Sequence, residues 1–147
     1  GMYTWMNEQA LREIYLAPFE TCVKEGGAKG VMEAYNRIGT MECSTCYALN
    51  TSVLRNEWGF NGVCLTDGYN PMFGSEKYNN PDLQLRANGT AMLMFTGGYT
   101  GEGGLTEKTT GTQKGIEMMH DACKRVLYVY CNSSAMEISR DYTPYLI

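Results

Sequence analysis

Asp67 stands where a short apolar run, Gly62-Val63-Cys64-Leu65-Thr66, stops. The residues leading to it, Glu57-Trp58-Gly59-Phe60-Asn61, read as a helix end followed by a glycine turn. A carboxylate at the C-terminal tip of a buried parallel strand is where α/β barrels keep their chemistry. Without its flanks, an aspartate before a glycine is often only a turn residue. The other chemistry-bearing residues are scattered. Cys43-Ser44-Thr45-Cys46 is a CxxC, whose functional readings are redox or metal binding. The single histidine, His120, lies far from it on a predicted helix, so no four-ligand zinc set is completed. Neither a metal nor a cofactor is expected. Glu102 sits in a glycine-rich stretch that the topology would bring near the strand ends, and nothing in its spacing assigns it a role.

The elements that must position these residues follow from periodicity and caps. Asn7 is a plausible N-cap for a helix in which Leu11, Ile14 and Tyr15 share one face. That helix runs on through Phe19 and Val23 despite Pro18 and stops at Gly26-Gly27. Gly30 to Tyr35 reads as a strand and Arg37 to Tyr47 as a loop. Leu49 to Trp58 reads as a helix closed by Gly59, and Gly62 to Thr66 as the second strand. A long polar loop from Asp67 to about Asn80 precedes a short helix, Pro81 to Arg86, with Asn80 as its cap. Ala91 to Phe95 is the third strand. Gly115 to Tyr130 is the longest helix, with Met119, Ala122, Cys123, Val126, Leu127 and Tyr130 as its apolar stripe. Alternation of helices with strands apolar on both faces calls for parallel strands and crossover helices, an α/β class.

At 147 residues the chain can bury one core but is too short for a complete (β/α)8 barrel, which takes about 250 residues. Its apolar fraction of 44% and charged fraction of 19% are those of an ordinary globular protein. A net charge of −4 argues against nucleic acid and anionic membranes as partners. No apolar run is long enough to span a bilayer. The six cysteines fall in core-like segments and are expected as reduced, buried thiols. Asn50, Asn88 and Asn132 open Asn-x-Ser/Thr triplets, which matter only in a glycosylating cell. Gly1 before Met2 reads as a tag remnant, and Tyr145-Leu146-Ile147 as an uncapped boundary.

Four stretches, in order, carry a family resemblance. They are Leu11-Arg12-Glu13-Ile14-Tyr15-Leu16-Ala17-Pro18-Phe19-Glu20, Val31-Met32-Glu33-Ala34-Tyr35-Asn36-Arg37, Glu57 to Tyr69, and Lys124-Arg125-Val126-Leu127-Tyr128 with Asn132 to Met136. Together they resemble the second half of the barrel domain of family 3 glycoside hydrolases, the β-glucosidase type. The resemblance implies that residues 1–147 form a single partial domain, half of a TIM-type barrel with about three parallel strands. It implies Asp67 as catalytic nucleophile of a retaining reaction, Tyr35 beside it, and Met32 lining the sugar pocket. Gly68 stands where the family usually places an aromatic residue that stacks on the sugar, and Tyr69 would take over that contact. Glu33 stands where a small residue is more usual, and Asn88-Gly89-Thr90 replaces an acidic turn.

The resemblance further implies that the sugar-binding residues of the barrel's first half are absent, and that the acid/base comes from elsewhere. The isolated chain is therefore expected to be an inactive fragment of a β-glycosidase whose substrate is a β-linked carbohydrate. The competing reading is a diverged, non-catalytic half-barrel acting as a carbohydrate-binding or assembly module. A small redox or metal protein built on Cys43 and Cys46 is the weakest reading. Strands are expected to end at Tyr35, Asp67 and Phe95, with the helices on one side. Two bare strand edges and an inner face of Met32, Val63 and Leu65 make the missing half of the barrel, or a second copy in a homo-oligomer, the expected partner.

Overall fold

The computed structural model describes residues 3–69, 80–87, 92–95 and 105–136, with backbone alone for residues 68–69 and 92–95. Glu102, Asn88-Gly89-Thr90, most of the two long loops and the chain end from residue 137 lie outside the described residues.

Strands β2 (Gly30–Glu33), β5 (Val63–Tyr69) and β6 (Met92–Phe95) pair side by side, in chain order and all parallel. Gly30 pairs with Val63 and Glu33 with Thr66, so the β2 ladder is regular. Alternation then sends Val31, Glu33, Cys64 and Thr66 to one face and Met32, Val63 and Leu65 to the other. The first face meets the helices. Cys64, fully buried, packs with Leu54 and Phe60, and Val23, Val31 and Trp58 close around them.

Helix α1 is continuous from Glu8–Ala10 through Leu11–Leu16 to Ala17–Lys24. Asn7 caps it by accepting the Ala10 N–H at 2.8 Å. Its middle turns are widened to the π form. Pro18 lacks the N–H for an α-helical bond to Ile14, and a widened turn gives its ring room. Helix α2 (Ala48–Glu57) is also wide-turned and ends at Gly59, whose φ of +70° suits glycine. Arg12 of α1 grips Glu57 of α2 with two bonds, 2.6 and 3.0 Å. Asn80 caps α3 (Pro81–Arg86) by accepting the Leu83 N–H. Asp82, in the first turn of α3, accepts the backbone N–H and hydroxyl of Thr106, which precedes α4 (Glu107–Thr110). Thr112 caps α5 (Gln113–Cys131). A 3-10 turn, Ser134–Met136, follows.

Several expectations are corrected. The predicted loop after Arg37 contains a hairpin, β3 (Arg37–Ile38) with β4 (Met41–Glu42), joined through Gly39 at φ +61°. It pairs with β1 (Tyr3–Thr4) in a second small sheet. Two-residue strands leave no periodicity to read. A Glu42–Arg37 ion pair at 2.6 Å and the Arg37 guanidinium over the Tyr3 ring hold it instead. A 3-10 turn, Cys43–Thr45, leads on to α2. Strand β2 stops at Glu33, short of Tyr35, and β5 runs past Asp67 to Tyr69. The apolar stripe of α5 is rotated. Gly115 is buried and Met118, Met119, Ala122, Arg125 and Val129 are half-buried, whereas Cys123, Val126, Leu127 and Tyr130 are exposed. All six cysteines are free thiols, but only Cys64 is buried, and Cys22, Cys123 and Cys131 are exposed.

Candidate functional site at the end of the parallel sheet

Asp67 follows Thr66, which pairs with Glu33, and Tyr35 lies two residues beyond Glu33. Both therefore sit at the C-terminal edge of the parallel sheet. The Tyr35 phenol is held above the ordinary tyrosine range, first by desolvation and second by the negative charge of Asp67. The two side chains are within electrostatic reach of each other. Asp67 is half-buried and Tyr35 is 36% exposed. Met32 pairs with Leu65 in the ladder, on the face away from the helices, and is 57% exposed. Tyr69 pairs through its backbone with Phe95, and its side chain lies outside the described residues.

One feature around Asp67 has no sequence signal. On β6, Met92 pairs with Leu65 and Met94 with Gly68, so β5 spends one more residue than β6 over the same span. Thr66 and Asp67 occupy this bulge. Bulges gather beside active sites because they re-aim a side chain. Simple alternation, which would put Asp67 on the face of Val63 and Leu65, is interrupted here, and the field that Asp67 exerts on Tyr35 is the better guide to its position.

The approach to Asp67 is rigidly made. Arg55 of α2, buried, donates from Nη1 to the carbonyls of Phe60 and Gly62, both at 3.2 Å, and from Nη2 to the Cys64 thiol at 3.5 Å. Its guanidinium lies over the Phe60 ring. Burial lowers its affinity for the proton, the Cys64 thiol opposes that, and Arg125 of α5 adds to it. Gly62 fits where nothing larger would, since a Cβ there would lie 2.1 Å from the Lys29 carbonyl oxygen. Turn, helix and strand are thus locked one residue before β5 begins.

Sequence reasoning passed over Glu33 as a departure. It is 6% exposed, and neither carboxyl oxygen has a hydrogen-bond partner. Burial pushes its pKa up to about 8, against a weak opposing pull from Arg55. The signal that could have found it is an acid in register with Val31 on the buried face. Cys43 and Cys46 flank the small turn before α2. Burial, followed by Cys46 and Glu33, pushes the Cys43 thiol up to about 11, which makes it a poor thiolate. His120 is exposed. Among the described residues no three His, Cys, Asp or Glu side chains cluster as a metal site would require.

Residues 1–128 match the family model described as the glycosyl hydrolase family 3 N terminal domain. Over 81 residues the chain is 45% identical to a β-glucosidase from Rhizobium radiobacter, a match covering 54% of this chain and 10% of that one. Over 98 residues it is 34% identical to a β-glucosidase from Ruminococcus albus, covering 65% of this chain and 10% of the relative. The structure of β-glucosidase 3B from Thermotoga neapolitana in complex with glucose superposes with a TM-score of 0.74 at 30% identity, over 92% of this chain and 19% of that one. The chain thus spans a small part of each of these proteins. Parallel sheet, flanking helices and matched residues agree on one assignment: the chain belongs to glycosyl hydrolase family 3.

Proposed function

We propose that the chain is the second half of a (β/α)8 barrel from a retaining β-glycosidase of the β-glucosidase type, with Asp67 as nucleophile. The observation that carries this reading is the electrostatic contact between Asp67 and Tyr35 at the C-terminal edge of a parallel sheet. The names of the relatives support a β-glucoside or related oligosaccharide as substrate. In the proposed reaction an Asp67 oxygen attacks the anomeric carbon as the bond to the leaving oxygen breaks. A general acid outside the assigned residues protonates that oxygen, and water then releases the sugar from the glycosyl ester. Tyr35 sits beside the carboxylate, Met32 lines the sugar pocket, and Tyr69 stacks on the ring.

In a complete family 3 protein carrying this segment, a 2-deoxy-2-fluoro-β-glucoside should label Asp67, located by peptide mapping. Asp67→Asn should abolish the label and cut turnover on the order of a thousandfold with the fold intact. Labelling of another carboxylate would end this assignment. The isolated chain should not hydrolyse an aryl β-glucoside, because it supplies one carboxylate without its acid. Activity that vanishes in Asp67→Asn would contradict the fragment reading. Gly68, directly after Asp67, favours a second reading in which the segment has diverged into a carbohydrate-binding or assembly module. Under that reading the complete protein takes no label.

A further inference from the structure

Between α1, α2 and the helix-facing side of β2 lies a cleft of about 380 Å3. Tyr15 and Phe19 of α1, Leu54 and Trp58 at α2, and Val31 of β2 line it, and Glu33 is the carboxyl in its wall. Met32 lines it too, but neither Asp67 nor Tyr35 is among its lining residues. Ligand pockets of this kind are mostly apolar with a few placed polar groups, and typically run from about 300 to 1,000 Å3. Glu33 is the anomaly that asks for a ligand. A carboxyl so deeply buried normally finds partners. Its two oxygens have none.

The neighbouring charged and titratable groups do not supply one. Arg55 of α2 is committed to Phe60, Gly62 and Cys64. Arg37 of β3, which also lines the cleft, donates from Nη1 to the Thr40 carbonyl and from Nη2 to Glu42, and not to Glu33. Cys43, beside the cleft, is held as a neutral thiol by burial. Tyr15 of α1 lines the wall without bonding Glu33.

We propose that this cleft binds a small primary amine on an aromatic or aliphatic body, with the ammonium on the Glu33 carboxylate and the body among Tyr15, Phe19, Leu54 and Trp58. An anion is rejected by the carboxyl. A neutral alcohol satisfies one hydrogen bond, whereas an ammonium offers three donors and the compensating charge. Binding requires no covalent step. Burial favours the protonated form of Glu33 near neutral pH, so arrival of an ammonium drives its proton to solvent.

The test is calorimetric titration of the 147-residue chain with 2-phenylethylamine near pH 7, in two buffers of different ionisation heat. The expected result is saturable binding with close to one proton released per site. 2-Phenylethanol should bind about tenfold more weakly or worse. Glu33→Gln should weaken the amine by about tenfold and remove the proton release, with an unchanged circular dichroism spectrum. Asp67→Asn, outside the cleft lining, should leave amine binding as it is, which separates this site from the proposed nucleophile. Equal affinity for amine and alcohol, binding without proton release, or no binding at millimolar amine would each overturn the proposal, and none of these three needs a variant to fold.

Discussion

Two carboxylates on adjacent strands have opposite circumstances. Asp67 is half-buried beside a phenol, at the C-terminal edge of the sheet. Glu33 is buried in the cleft wall with no hydrogen-bond donor. The cost of Glu33 has a definite sign. An ordinary glutamate ionises at 4.5, and in the folded chain Glu33 holds its proton to about 8. Between those values the folded state binds the proton that the unfolded state has lost, so stability falls as pH rises through that window. Below it the group costs nothing by this route. The full penalty above it is on the order of 5 kcal/mol. Urea unfolding should therefore show the wild type losing several kcal/mol relative to Glu33→Gln between about pH 4.5 and about pH 9. Parallel curves for the two proteins would mean that Glu33 is solvated or paired in solution. Asp67 was legible because helix end, turn and apolar run converge on it. Glu33 was not, because periodicity flags where an apolar face lies and says nothing about an acid set into it without a partner.

At the level of elements, caps and glycines carry most of what could be read in advance. Asn7 and Asn80 both cap as expected, and Gly59 closes α2. Asn80→Ala should cost about 1 kcal/mol, measurable as a lowered urea midpoint, because the Leu83 N–H loses its acceptor. Gly62→Ala is a harsher change. The added methyl would overlap the Lys29 carbonyl and crowd the Phe60 ring, so the turn held by Arg55 must open. A loss of about 3 kcal/mol or more is expected, with weakened order at the start of β5 seen as faster amide exchange at Val63. An unchanged midpoint would show that β2 and β5 slide apart easily. What could not be read were the features set by tertiary contact. The β3–β4 hairpin depends on an ion pair and a ring contact, the rotated face of α5 on what packs against Gly115, and the bulge at Thr66 and Asp67 on a register that only β6 reveals.

For the whole molecule, the helices cover one face of the parallel sheet, and on the other face Met32 is exposed while Val63 is buried and Leu65 half-buried. Large apolar side chains stay exposed elsewhere too, including Trp5, Ile14, Phe19 and Leu127. Surfaces of this kind associate. Light scattering of the isolated chain at micromolar concentration should report a dimer or larger species, and a steady monomer mass without binding of a hydrophobic dye would rule that out. Under the proposed half-barrel reading, the other half, supplied in trans, should compete with self-association. The order β2-β5-β6 also has a consequence for how such a chain is made. Within this sheet each strand pairs with the sheet strand synthesised before it. A growing chain can therefore add strands to an existing edge as they leave the ribosome, without waiting for a partner strand made later. A sheet threaded in chain order is one that folds in the direction of its own synthesis.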